Sequence, residues 1–222
     1  MKKSVILLSI ILISGATTNL FAQKDRKLTK GFSINLVTGI PSGQYGVSES
    51  DNIDAMYQPG TIWGLQLGNR WYFNPTEQYG IGLMVNWIDI TAGVKAGSES
   101  SYDWARAVVD FSFCEIGPVG TYVLTKDIAL DAYYNLRPTG FSSGMVWSPT
   151  SGDDDETYVY AGFGFTHALG AAFRYKALNI GLEYVMGGIN SEGTYSGPDG
   201  DEDLESQKNI ANSFRIMIGA KF

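Results

Sequence analysis

The segment 213–222 reads SFRIMIGAKF, and the alternation of its side chains indicates a β-strand. Apolar residues hold one parity, and polar or smaller residues hold the other: Phe214, Ile216, Ile218, Ala220 and Phe222 against Ser213, Arg215, Met217, Gly219 and Lys221. Successive side chains of a strand point to opposite faces of its sheet. This segment would therefore present one apolar face and one polar face.

Similar alternation recurs in seven further segments, so the sequence predicts eight strands in all. The other seven are 31–39, 63–73, 81–87, 105–124, 128–137, 159–175 and 180–186. The apolar parity changes within segment 105–124, and we expect a one-residue bulge at Gly117 and Pro118, because proline is confined to bulges and edges of a sheet. After residue 22 there is no run of about 18 apolar residues, the length that a transmembrane helix requires.

The predicted connections alternate in length along the chain. Long, polar and acidic connections at 40–60, 93–104, 139–157 and 191–208 alternate with short turns at 74–78, 125–127 and 176–178. In an up-and-down sheet, all the long connections would lie at one end, which is typical of outer-membrane barrels. The predicted fold is thus all-β, an eight-stranded antiparallel up-and-down transmembrane β-barrel with its apolar face toward lipid. The alternative is a soluble, lipocalin-like barrel with the apolar residues inside.

The N-terminal residues have the order of a secretory signal peptide. Lys2 and Lys3 precede the apolar run 5–13, and small and polar residues follow up to Ala22. We therefore predict a signal peptide at 1–22, a short periplasmic segment at 23–30, the barrel at 31–222, and localisation in the outer membrane.

Composition excludes several functions. The chain has 16 Lys and Arg against 23 Asp and Glu, a net charge of −7 that argues against nucleic-acid binding. Cys114 is the only cysteine and His167 the only histidine, which excludes most zinc sites and any internal disulfide. We expect no cofactor and no bound metal.

Seven charged residues have the inward parity of the predicted barrel. Buried charges must be paired, and a barrel of eight strands is just wide enough for its own side chains to fill. The sequence therefore predicts a salt-bridge network in a filled lumen, with a narrow pore as the alternative. Its members are Arg70, Asp110, Asp131, Arg137, Arg174, Glu183 and Arg215, whereas the predicted bulge leaves the side of Glu115 undetermined.

Two other groups of residues are candidates for chemistry. His167 has the lipid-facing parity, but Leu169 stands where lipid A deacylases have the serine of a His-x-Ser motif, so we expect no catalysis. Two acidic runs offer the oxygen ligands that Ca²⁺ prefers, although the second lacks the EF-hand pattern. The candidate ion ligands there are Asp153, Asp154, Asp155, Asp199, Asp201 and Asp203.

Four short stretches resemble the PorT-type outer-membrane β-barrel family: FCEIGPV at 113–119, ALGAAFRY at 168–175, LEY at 182–184 and IGAKF at 218–222. The resemblance implies an eight-stranded barrel inserted by the barrel-assembly machinery, which reads Phe222 as an assembly signal. The expected partners are that machinery, outer-membrane lipid and lipopolysaccharide, and the protein is expected to be a monomer. The expected role is envelope integrity, adhesion or partner contact, with an accessory role in protein secretion as the alternative.

Overall fold

The structure is a computed structural model that describes residue 28 and residues 30–41, 58–73, 75–151, 154–198 and 200–222. These residues form ten antiparallel strands and no α-helix. The strands are β1 (Gly31–Pro41), β2 (Ile62–Phe73), β3 (Tyr79–Ser98), β4 (Tyr102–Val123), β5 (Ile128–Pro149), β6 (Glu156–Tyr175), β7 (Leu178–Met186), β8 (Gly188–Gly197), β9 (Gly200–Ile210) and β10 (Ser213–Lys221). The described part of the chain contains no helix with the length and apolarity needed to cross a bilayer.

Eight of these strands close into a ring in the order β1, β2, β3, β4, β5, β6, β7, β10. The last strand closes it by pairing with the first, with Ile34 opposite Ala220 and Leu36 opposite Ile218. Closure leaves none of the eight with an unpaired edge inside the ring, which removes the usual liability of an exposed strand edge.

The same sheet extends beyond one end of the ring into a further region. This region contains β8, β9 and the ends of four long strands, residues 94–98, 102–107, 144–149 and 156–162, and we call it the extension. One row of opposed residues crosses it from β3 to β9: Val94, Ala107, Gly144, Val159, Thr194 and Asp203. The extension does not include β2, which begins at Ile62, opposite Gly39 of β1.

The prediction of eight strands therefore matches the ring but misses two strands. Three of the predicted long loops are wrong in large part, because 93–104, 139–157 and 191–208 consist mainly of β-structure. The intervals between these strands are short: β3 ends at Ser98 and β4 begins at Tyr102, β5 ends at Pro149 and β6 begins at Glu156, and β8 ends at Gly197 and β9 begins at Gly200. Most of the fourth predicted loop, residues 42–57, lies outside the described residues.

A short joint separates the ring from β8 and β9. Gly187 interrupts the chain between β7 and β8 with φ of +152°, and Ala211 and Asn212 interrupt it between β9 and β10. The amide of Gly187 donates to Asn212 Oδ1 at 2.9 Å, and the amide of Ala211 donates to the Gly187 carbonyl at 2.9 Å. These bonds hold the two interruptions side by side.

The bulge in β4 is real but lies earlier than predicted. The register of β4 against β5 shifts between Ser112 and Ile116, and Cys114 has φ of +51°. Phe113 and Cys114 both point outward, so the inward parity changes from even residues before the bulge to odd residues after it. Gly117 and Pro118 continue the regular strand.

Apolar and charged layers alternate inside the sheet along its axis. On β5 the inward side chains from the short turns upward include Asp131, Tyr133, Arg137, Phe141 and Met145. Tyr133 packs in an apolar cluster with Val37, Met84, Val119 and Met217, and Phe141 packs in another with Ile62, Val108, Ile189 and Ala211. The charged residues of the ring lie between and below these two clusters.

Candidate functional site

The candidate site is the charged interior of the ring, which consists of two layers. The layer nearer the short turns centres on Asp131, which is buried. Arg174 binds it through both carboxylate oxygens, Nε to Oδ2 at 2.7 Å and Nη2 to Oδ1 at 3.0 Å, and Arg70 donates to Oδ2. Thr121 Oγ1 donates to Asp131 Oδ1 at 2.5 Å. One carboxylate thus holds two guanidinium groups from β2 and β6.

The side chain of Tyr72 contacts the residues of this lower layer. The hydroxyl of Tyr72 lies 2.8 Å from Thr121 Oγ1 and accepts from Arg174 Nη2 at 3.5 Å. Lys221 Nζ stands 5.4 Å from the centre of the Tyr72 ring, within the range of a cation–π contact. With two arginines and a lysine near one aspartate, the lower layer has an excess of positive charge.

The upper layer is built around two arginines that arrive from different strands. Arg137 of β5 donates from Nε to Glu115 Oε1 at 2.5 Å and from Nη2 to Asp89 Oδ2 at 3.1 Å. Asn86 Nδ2 donates to the second oxygen of Glu115 at 2.8 Å. Arg137 therefore links β3, which carries Asp89, to β4, which carries Glu115.

Arg215 of β10 occupies the other side of the upper layer. Its Nη1 lies 3.0 Å from Asp89 Oδ2 and 3.7 Å from Glu183 Oε1, and its Nη2 lies 3.7 Å from Asp110 Oδ2. Tyr133 donates its hydroxyl to Glu183 Oε2 at 3.1 Å. Four carboxyl groups thus surround two guanidinium groups in the upper layer.

The two layers are closed to solvent. Arg137 is 1% exposed, and Arg215 and Glu115 are fully buried. The apolar cluster that contains Tyr133 and Met217 separates the two layers, and the cluster that contains Phe141 lies above the upper one. This burial favours a filled interior over a pore.

The structure divides the seven predicted lumen residues between the layers. Arg70, Asp131 and Arg174 meet in the lower one, and Asp110, Arg137, Glu183 and Arg215 meet in the upper one. The sequence reasoning did not identify Asp89, and it left Glu115 undetermined. Each of these two acids follows a bulge in its strand. Glu115 follows the bulge in β4, and Asp89 follows a shift in the register of β3 against β2 beside Trp87. The sequence indicates such a bulge only by a change of apolar parity, as between Trp87 and Ile88, and does not fix which residue is displaced.

His167 lies on the outer side of the ring, as its parity indicates. Its Nδ1 lies 2.5 Å from the hydroxyl of Tyr134, and the two rings stack with centres 5.8 Å apart. Each side chain therefore satisfies a polar atom of the other on an apolar surface.

The acidic runs and the last residue lie away from this interior. Asp154, Asp155, Asp201 and Asp203 are exposed, whereas Asp153 and Asp199 lie outside the described residues. Within the described ranges, no three His, Cys, Asp or Glu side chains are grouped so that they could hold a metal ion. The amide of Phe222 donates to the Phe32 carbonyl at 2.7 Å, and its role as an assembly signal stays a prediction.

No protein-family model matches the chain, and no curated protein matches it. The chain is similar to two crystal structures of Ail, the attachment invasion locus protein of Yersinia pestis, one of them in complex with the heparin analogue sucrose octasulfate. Identities are 13% and 12%, TM-scores are 0.43 and 0.42, and the alignments cover 87% of this chain and 97% of each Ail chain. The outer-membrane channel DcaP of Acinetobacter baumannii aligns with 10% identity and a TM-score of 0.15, over 90% of this chain and 99% of DcaP. Similarity this weak identifies no function, and the PorT-type resemblance stays a hypothesis.

Proposed function

We propose that this protein is an integral outer-membrane β-barrel, without catalytic activity, that spans the membrane with its ring and displays the extension outside the cell. The observation that carries the proposal is the inverted distribution of side chains between the two faces of the ring. Charged side chains fill the inside, and large apolar side chains cover the outside.

The outer face of the ring is apolar on every strand. Ile81 is 65% exposed, Phe165 58% and Leu169 56%, and similar residues on the other strands include Leu36, Trp63, Phe111, Leu130, Leu182 and Ile216. Monomeric soluble proteins rarely expose apolar patches of more than a few hundred Å². A belt of this kind around a closed ring suits the hydrocarbon of a bilayer, where closure also satisfies every backbone hydrogen bond.

The soluble alternative requires the opposite arrangement. A lipocalin-like barrel would place its apolar residues inside and its charges in water, whereas Arg215 is fully buried and Leu169 is more than half exposed. The short turns at 125–127 and 176–177 would face the periplasm, and the extension would face the exterior, in agreement with the predicted signal peptide.

The proposed role is envelope integrity together with adhesion or partner contact through the extension. Interior charges paired with one another are suited to rigidity, and His167 is engaged by Tyr134, so neither group is arranged as a reaction centre. The inner face of the extension carries the half-buried Tyr102, Trp147, Tyr158 and Tyr195 around the buried Trp104, and aromatic side chains are enriched in protein interfaces.

The experiment that tests the membrane assignment combines fractionation with two matched arginine substitutions. The unaltered protein is expected in the outer-membrane fraction, with a gel mobility that changes on boiling. Leu169→Arg places a charge on the outer face of the ring and should destabilise the protein by about 2–4 kcal/mol if that face meets the bilayer midplane. Thr194→Arg, on the outward face of the extension, should change stability by less than about 0.5 kcal/mol.

Unfolding by urea in lipid vesicles measures both variants. A protein found in the soluble fraction without a mobility change would overturn the proposal. Equal effects of the two substitutions would overturn the placement of the ring in the membrane.

A further inference from the structure

The outer face of the ring contains a shallow groove of about 850 Å³ near the short turns. It crosses β3 to β7, and its floor is a row of small residues on three adjacent strands: Gly120, Ala132 and Ala171. Its volume is within the range of ~300–1,000 Å³ that is typical of small-molecule sites. The groove therefore has the capacity for part of an organic molecule.

Large side chains border the floor on both sides. The row nearer the turns consists of Tyr122, Leu130, Phe173 and Ile180, which oppose one another in register. The row farther from the turns contains Tyr134, Leu169 and Tyr184. A groove between two apolar rows fits a flexible hydrocarbon chain better than it fits the flat surface of a partner.

The floor of the groove is open at Gly120. A Cβ built on this residue would meet only the carbonyl oxygen of Ala132, at 4.0 Å. A larger side chain at this position would therefore extend into the groove without disturbing the interior of the ring.

The edge of the groove nearest the turns offers polar and positively charged groups. Tyr79 and Tyr122 line it and are more than half exposed. The turn that joins β4 to β5 contains Lys126, followed by Asp127, and the turn that joins β6 to β7 contains Lys176, whose Nζ stands 5.4 Å from the ring of Tyr175. All four of those strands line the groove.

We propose that this groove is a binding site for an anionic glycerophospholipid of the leaflet that adjoins the short turns, an inference that rests on the proposed membrane location. An acyl chain lies over Gly120, Ala132 and Ala171, and the phosphate is held near Lys126 and Lys176. Basic side chains at the membrane surface attract anionic headgroups, and tyrosines favour the same interfacial depth.

The test uses a pair of glycine-to-leucine variants of the full chain. Gly120→Leu fills the groove. Gly140→Leu is the control, because a Cβ at Gly140 meets only the Phe111 carbonyl oxygen, at 3.7 Å, on the outer side of the ring away from the groove. Native mass spectrometry from detergent, with phosphatidylglycerol titrated in, measures lipid binding to each folded variant. We expect Gly120→Leu to weaken binding roughly tenfold, and Gly140→Leu to leave it unchanged.

A second pair of variants tests the headgroup. Lys126→Gln and Lys176→Gln should each weaken phosphatidylglycerol binding roughly fivefold and leave phosphatidylcholine binding unchanged. Equal lipid binding by Gly120→Leu and Gly140→Leu would overturn the inference. So would a dimer of the unaltered protein that Gly120→Leu abolishes, since a second copy would then be the occupant of the groove.

The mobility change on boiling separates this inference from the proposed function. If the unaltered protein fails to insert into membranes, the proposed function fails. If it inserts and the two leucine variants bind lipid equally, only the lipid site fails.

Discussion

The ring and the extension share four long strands, but the residues on the two faces of these strands differ between the two regions. In the ring, β3 to β6 have a polar, buried inner face and an apolar, exposed outer face. In the extension, the same strands carry aromatic residues on the inner face, such as Trp104 and Trp147, and residues such as Asp103 and Ala105 on the outer face. The solvent on the outer side changes from lipid to water in the proposed arrangement, and the residues on that side change with it.

The two regions also differ in what joins their strands. Ion pairs from Arg137 and Arg215 connect β10 to β3, β4 and β5 across the ring. The extension contains contacts between aromatic side chains: Tyr102 stacks on Trp147 with ring centres 5.0 Å apart, and the ring centres of Tyr158 and Tyr195 are also 5.0 Å apart. We expect the stability of the ring to depend on charge pairing and that of the extension to depend on packing.

The largest effect should follow from removing a central charge of the ring. Arg215→Met would leave Asp89, Asp110 and Glu183 buried with less positive charge, and should lower the free energy of unfolding by about 3–5 kcal/mol. The matched change in the extension is Lys95→Met, which removes a cation 5.6 Å from the Trp104 ring and should lower it by about 0.5–1 kcal/mol. Urea unfolding in lipid vesicles measures both. Similar losses for the two variants would contradict the difference between the regions.

A smaller effect should follow from altering the joint between the two regions. Gly187→Ala introduces a Cβ 3.0 Å from Thr166 Cα at a φ of +152°, and should cost about 1–3 kcal/mol. Gly144→Ala is the control, since its Cβ would meet only the Tyr158 carbonyl oxygen, at 4.0 Å. Hydrogen exchange should show β8 and β9 losing protection in the first variant while the ring keeps its own. Equal loss across the ring would show that the two regions unfold together.

The smallest effect concerns a tyrosine of the extension. Burial raises the pKa of Tyr158 to about 12, together with the neighbouring Glu156, whose Oε2 accepts a hydrogen bond from the Tyr158 hydroxyl at 3.2 Å. Any stability that this shift contributes is present below pH 10 and is lost as the pH rises from about 10 to about 12. The ultraviolet difference between the unaltered protein and Tyr158→Phe should show this late ionisation. Glu156→Gln should lower the pKa toward 10, and an unchanged titration would contradict the role of Glu156.

Much of the ring was predictable because each of its strands separates two environments. A strand with a polar inner side and an apolar outer side must alternate, as 213–222 does, and the parity of Arg70, Asp131, Arg137 and Arg215 therefore indicated the inner face. The number of strands in the closed ring follows from the same pattern. Which charges meet across it did not follow, since a pairing such as that of Arg215 with Asp89 joins residues far apart in sequence.

The sequence by itself determined the alternation, the short turns and the inward charges, because these depend on local periodicity. Only the tertiary structure decided the extension, where apolar and polar residues no longer separate by parity, so that strands at 144–149 and 200–210 resemble loops. It also decided the bulges beside Trp87 and at Cys114, which turn Asp89 and Glu115 inward. A bulge changes the face of every later residue in its strand, and its position depends on the register of the neighbouring strand, which local sequence does not contain.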